Sequence, residues 1–289
     1  MAETPLIFDR SLVLRRQLRA LAQGPADFLL RAAVEELAAR LSAVQRDFAE
    51  ALDVGSPSPL LSEAIARPGR RIARIVADPA FGPRAAVGDE ERLDVAPQSV
   101  DLVVSALALQ WVNDLPGALV QMRRALRPDG LLLACMIGGG SLAELRAAFT
   151  EAEAELEGGA SPRVAPFADV RAAGNLLQRA GFALPVADSE AIVVRYDSMF
   201  GLTSDLRAMG ATNPLFSRAK KPLRRATLMR AAELYAEKFS DPDGRIRATF
   251  EFLWLSGWAP HESQQKPAPR GSGQVSLADA LKPRRPRDA

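Results

Sequence analysis

Ser99-Val-Asp-Leu-Val-Val-Ser105, Leu109-Gln-Trp-Val-Asn-Asp-Leu-Pro116 and Leu126-Arg-Pro-Asp-Gly130, followed by the run Leu131–Ile137, decide the fold of this chain. The first segment is short, apolar and β-branched, as a buried strand requires. The second leads into Leu115–Leu126, which is apolar at helical spacing. Arg127-Pro-Asp-Gly130 is a turn that closes this helix. Leu131–Ile137 then reads as another buried strand. Parallel neighbours need a crossover of a dozen or more residues, usually a helix, and this stretch supplies one.

The same alternation extends both ways. Upstream, Phe48–Gly55 is an apolar run ending in an acid and a glycine. Leu60–Ala66 is a short helix stopped by Pro68-Gly69. Ile72–Asp78 and Ala85–Asp89 are two further strands ending in acids. Downstream, Gly138–Gly140 is a turn, and Ser141–Glu157 is a helix with Ser141 and Glu144 as a capping box. Asp169–Ala180 is a helix, Ala191–Tyr196 a strand, and Ser198–Met209 and Ala226–Phe239 are helices. A last strand lies within Arg245–Trp258. The first 48 residues are helical, with Leu14, Leu18 and Leu21 on one helix. Ala26–Phe48 forms a second, with Phe28, Leu29, Ala32, Leu37 and Leu41 on one side.

The expected fold is therefore α/β, a doubly wound sheet of about seven strands. The expected organisation is an N-terminal helical segment (1–48), a main domain (49–265) and a flexible basic tail (266–289). A helical insertion at about 197–240 reads as a lid.

Composition narrows the chemistry. The 289 residues hold one cysteine, Cys135, and one histidine, His261. That excludes an intrachain disulfide, a Cys-rich zinc cluster and a two-histidine iron centre. Cys135 sits mid-strand and reads as inert core. His261 reads either as a base or as a structural residue beside Pro260. Net charge is only +2, and Lys and Arg outside the tail form no cluster interleaved with aromatics, so nucleic acid is not expected. No run approaches a membrane span, and Met1–Arg10 is not a secretory signal, so the expected location is cytoplasmic. The basic tail leaves a peripheral contact with an acidic surface or partner open.

Acids end successive strands. In open α/β sheets ligands lie beyond the carboxyl ends of the strands. Asp53, Asp78, Asp89 and Ser105 fall in order along that edge. Each alone reads as a turn or N-cap residue. Together they suggest a site for a ligand with hydroxyls and amines.

This order resembles a class I S-adenosylmethionine (SAM) methyltransferase, with a Rossmann-like sheet. The resemblance implies cofactor contacts at Asp53, Gly55, Asp78, Asp89, Glu90 and Ser105, and acceptor contacts at Gln110 and Trp111. It assigns no catalytic base and no metal, because methyl transfer needs mainly in-line positioning. A narrower likeness runs nearly end to end. The chain is similar to the complex I assembly factors of methyltransferase fold that are described as protein-arginine hydroxylases, and to their bacterial relatives. The matching residues are Phe8-Asp-Arg10, Ala77-Asp78, Asp89-Glu90, Trp111–Pro116, Leu142-x-Glu-Leu-Arg146 and Glu157-Gly-Gly159. Ser161-Pro162, Met209-Gly210, His261-Glu-Ser263 and Arg270-Gly-Ser272 complete them. The family is also close to the malonyl-carrier methyltransferases.

Two departures stand out. Where the fold has Gly-x-Gly-x-Gly, this chain has Gly55-Ser-Pro57-Ser-Pro59. Proline fixes φ and removes a donor in the loop that holds the methionine part of SAM. Asp78 and Ala85 are only seven positions apart, too close for a crossover helix. Three readings follow from the resemblance. The first is a methyltransferase-family protein acting on a protein arginine of a complex I subunit during assembly. The second is a conventional methyltransferase of a small molecule or carrier protein. The third is an assembly scaffold that has lost SAM. Hydroxylation would need an oxidant. The carboxylates Asp89, Glu90, Glu91 and Asp94 read either as metal ligands or as a solvated loop.

Overall fold

The computed structural model describes residues 6–265 together with Ser272 and Ser276. Most of the basic tail lies outside the described residues. The chain opens with α1 (Arg10–Gln23) and α2 (Phe28–Ser42). Then come β1 (Glu50–Val54), α3 (Leu60–Ala64), β2 (Arg71–Val76), β3 (Ala85–Val87) and β4 (Val100–Ala106). They are followed by α4 (Leu115–Ala125), β5 (Leu126–Ile137), α5 (Ala143–Glu157), α6 (Val170–Arg179) and β6 (Ala183–Tyr196). Last come α7 (Met199–Ala208), α8 (Arg225–Phe239) and β7 (Ile246–Trp258).

The seven strands form one sheet in the order β3-β2-β1-β4-β5-β7-β6. The first five are parallel, and β7 runs antiparallel to both β5 and β6. The order reverses between β1 and β4, so a crevice opens beyond their carboxyl ends. Successive strand residues feed opposite faces, as a period of two dictates. Leu102, Val104, Leu131, Leu133 and Cys135 pack under α2, α5, α7 and α8. Val103, Leu132, Ala134 and Met136 pack under α4 and α6.

Local chemistry sets the boundaries, and several differ from expectation. Helix α2 stops at Ser42, not Phe48, because Phe48 is drawn fully into the core. Its buried stripe is Leu29, Ala33, Val34, Leu37 and Leu41, and Phe28 at the first turn stays 38% exposed. Ser141 and Glu144 do not form a capping box. Ser141 Oγ accepts from Glu251 N (2.8 Å) and Glu144 accepts from Thr249 N (3.3 Å), so both tie α5 to β7. Arg127–Gly130 is a bulge within β5, where the register jumps from Val100↔Leu126 to Leu102↔Leu131. Between β2 and β3 there is only a single 3-10 turn, Pro79–Phe81. That bears out the missing crossover helix.

Candidate functional site

The crevice is built around the end of β1. Asp53 is 1% exposed, and burial raises its carboxyl above the ordinary range against the pull of nearby donors. Its Oδ2 accepts from Arg74 Nε of β2 (3.1 Å) and from Ser62 Oγ (3.3 Å). Its Oδ1 is buried with no partner. Arg74 is itself buried. It donates on to Ser56 O (3.0 Å) and Phe81 O (3.2 Å). One internal guanidinium thus ties the β1 acid, the proline loop and the turn after β2 together. Gly82, at φ 133°, makes room for it, since a Cβ there would lie 2.7 Å from the guanidinium.

The loop is fixed from beneath as well. Ser56 Oγ accepts from Ala106 N (3.0 Å), and Ser105 Oγ donates to Val54 O (2.7 Å). Ser105 is fully buried, so it joins β4 to β1 and does not line the crevice. Asp78 does not line it either. Its carboxylate accepts from Ala80 N (2.8 Å) and caps the 3-10 turn, while the neighbouring Ala77 faces the space.

The space itself is a cavity of about 450 Å³ walled by Gly55, Pro57, Gly88, Asp89, Glu90 and Glu91. Arg10, the first residue of α1, reaches into it. Its guanidinium is paired with Asp89 and Glu90 and lies 3.7 Å from Glu91. Burial opposes the Arg10 charge, but the three carboxylates outweigh it and raise its pKa. Glu90 is 93% buried by the same arrangement, and desolvation raises its carboxyl against the attraction of Arg10. It leans over Gly55, where φ is 73° and a Cβ would come within 2.5 Å of Glu90 Oε1. Asn113 holds the cover down. Its Oδ1 accepts from Ile7 N (2.8 Å) and Phe8 N (2.7 Å).

A second pocket, apolar and about 180 Å³, adjoins the first and shares Pro57, Phe81 and Trp111 with it. Gln110 and Trp111 both line it, with Leu107, Leu142 and Phe167. Gln110 Nε2 donates to Leu107 O (2.7 Å). Trp111 stands edge-on between Phe8 (5.7 Å) and Phe167 (5.4 Å). His261 is exposed, pairs with Ser263 Oγ (2.7 Å) and lines neither cavity. Cys135 is fully buried and desolvation pushes its thiol up. Among the described residues no group of three His, Cys, Asp or Glu side chains is placed to hold a metal ion.

So the structure brings Gly55, Asp89 and Glu90 to one cavity and Gln110 and Trp111 to the next. It puts Asp53 and Ser105 beneath the floor and turns Asp78 to its own loop. Sequence reasoning missed Arg74, Asn113 and the placement of Arg10. A lone arginine inside the apolar run of β2 was the available signal for Arg74.

These residues fit SAM on one side only. Ala77, Gly88 and Asp89 leave room for a nucleoside. The methionine side does not fit. Asp53, which the resemblance places at the cofactor, lies beneath the floor with its Oδ2 on the Arg74 guanidinium and its Oδ1 without a partner. The Pro57 ring forms part of the wall of both cavities, between the cofactor side and the acceptor side.

Residues 52–134 match the methyltransferase domain model. The arginine-hydroxylase NDUFAF5 of Danio rerio mitochondria is 37% identical, over 96% of this chain and 90% of its own. The malonyl-[acyl-carrier protein] O-methyltransferase of Xylella fastidiosa is 38% identical, over 60% of this chain and 56% of its own. Among solved structures, the YcgJ protein of Bacillus subtilis superposes with a TM-score of 0.55 at 13% identity, over 78% of this chain and 99% of that one, and supports the fold alone. The expected cytoplasmic location is corrected by the first match, because that relative is a mitochondrial protein. With its likeness sustained over nearly the whole of both sequences, the chain belongs to the NDUFAF5 arginine-hydroxylase family, built on a methyltransferase domain.

Proposed function

We propose that this protein serves in respiratory complex I assembly by binding an arginine-bearing segment of a complex I subunit, as its family resemblance implies. The cavity of Asp89, Glu90 and Glu91 is the guanidinium site. One observation carries this reading. A guanidinium, that of Arg10, already sits among the three carboxylates. A planar guanidinium presents a fork of donors that matches paired carboxylates. Glu90 is buried, and a buried charge is favoured only when paired, so it selects for a guanidinium over neutral side chains.

The chain's own residues then have definite tasks. Asp89 and Glu90 hold and orient the incoming guanidinium, and Glu91 adds long-range attraction. Phe8, Trp111 and Asn113 position the cover. An arginine-modifying step would draw its oxidant from outside these residues, and the carboxylates would fix the nitrogen-bearing end of the side chain. This function needs no SAM, because Pro57 and the Arg74–Asp53 pair stand where its methionine part would lie. For the same reason methyl transfer to a carrier protein finds less support here.

The test is calorimetric titration with acetyl-argininamide and its neutral citrulline analogue. Wild type should bind the arginine ligand weakly, since Arg10 competes. Arg10→Ala should bind it about ten-fold more tightly, a gain of about 1.4 kcal/mol, and should ignore citrulline. Absence of binding by a folded Arg10→Ala protein would refute the assignment.

A further inference from the structure

A third cavity, of about 280 Å³, adjoins the second along Trp111, Leu142, Phe167 and Leu206 and is lined also by Leu145, Phe149 and Val164. It shares Arg163, Thr212 and Asn213 with an open basin of about 580 Å³. The basin is walled by Arg16, Arg163, Arg218 and Lys220, with no carboxylate in its lining. An apolar chamber therefore opens into a cationic mouth.

The charges of that mouth are not balanced internally. Arg163 is paired with Glu153, and Arg218 lies 3.6 Å from Asp9. Arg16 spends its donors on two carbonyls, Thr212 O (2.8 Å) and Asn213 O (2.7 Å). Among the described residues Arg16, Lys220 and Arg207, which lines the apolar chamber, have no carboxylate partner. Burial above all, and then the neighbouring Arg218, lower the Arg16 pKa against the opposing pull of Asp9. The surrounding segment, residues 206–232, carries seven Lys and Arg and no Asp or Glu, in a protein whose net charge is only +2. Arg16 comes from α1, Arg163 from the loop after α5 and Lys220 from the loop after α7, so no stretch of sequence shows the cluster whole.

We propose that this chamber and its mouth form a binding site for an anionic amphiphile, with the apolar chain against Leu145, Phe149 and Val164 and the carboxylate or phosphate head at Arg16, Arg207 and Lys220. Burial of a hydrocarbon chain supplies the non-directional attraction, and the unmatched cations select the charge of the head. The site shares Trp111 with the carboxylate cavity, which has the opposite charge. A free fatty acid and a bilayer phospholipid present the same chemistry.

Calorimetry of the full chain with sodium decanoate and with neutral decanol tests the assignment. Decanoate should bind saturably and about ten-fold more tightly than decanol, with an affinity that falls as salt is added. The double variant Arg207→Gln/Lys220→Gln, which breaks no ion pair, should weaken decanoate by about ten-fold and leave decanol unchanged. Val164→Trp should fill the chamber and abolish both. Phosphatidylglycerol vesicles that bind wild type, spare phosphatidylcholine and lose the double variant would make the bilayer the source. Decanoate binding without vesicle binding would make it a free acid. No saturable decanoate binding, equal affinity for decanoate and decanol, or indifference to Val164→Trp would overturn the proposal. So would binding of poly-glutamate without decanoate, which would make the basin a protein contact.

Discussion

Arg74 shows what a single residue does in this fold. It places a full charge in the floor of the crevice, where only its pairing with Asp53 and two carbonyls makes the burial tolerable. Arg74→Met would keep the bulk and strand the carboxylate. The expected loss of stability near neutral pH is about 3–5 kcal/mol, read from urea unfolding. The loss should shrink toward acid pH. Burial already raises the Asp53 pKa, and a carboxyl with a raised folded pKa gains stability below its unfolded value and loses it as pH rises. A loss that grew as pH fell would contradict this pairing. Composition alone could not reveal the clamp. Asp53 and Arg74 are 21 residues apart and meet only because β1 and β2 pair in that register.

Elements follow the same logic one level up. Gly210 ends α7 at φ 69°, and a Cβ there would lie 2.7 Å from the Gln17 backbone of α1. Backbone yields little, so Gly210→Ala should separate α1 from α7 at a cost of about 1–3 kcal/mol. The melting temperature should fall by several degrees, whereas Gly158→Ala, with no atom within 4 Å of its Cβ, should cost only its left-handed φ. Equal effects would remove α1–α7 packing as the cause. β1, β4 and much of β5 were legible because they are buried on both faces and read as continuous apolar runs. β6 was only half legible. Its Asp188, Ser189 and Glu190 are all exposed at the sheet edge and carry no apolar alternation, whereas the strand begins at Ala183 rather than Ala191. Ser141 and Glu144 had the spacing of a capping box, but β7 offered both a better partner.

Across the whole molecule, the fold is a methyltransferase scaffold whose crevice charges are answered from within, around a cavity of about 450 Å³. Arg74 answers Asp53, Arg10 answers Asp89 and Glu90, and Pro57 stands between the two adjoining cavities. Asp89 was readable from the end of its strand, because topology places strand ends on one edge, whereas Asp53 lies beneath the floor and Asp78 caps its own turn. The partners of these acids were not readable. Arg10 precedes Asp89 by 79 residues and reaches it only when α1 is laid over the crevice by Asn113 and Leu215. The measurement that tests this account most directly is calorimetric titration of the full chain with S-adenosylhomocysteine. No binding is expected up to millimolar concentration, with the arginine ligand still bound by Arg10→Ala. Micromolar binding of S-adenosylhomocysteine that is lost in Asp89→Ala would show an open cofactor site and contradict it.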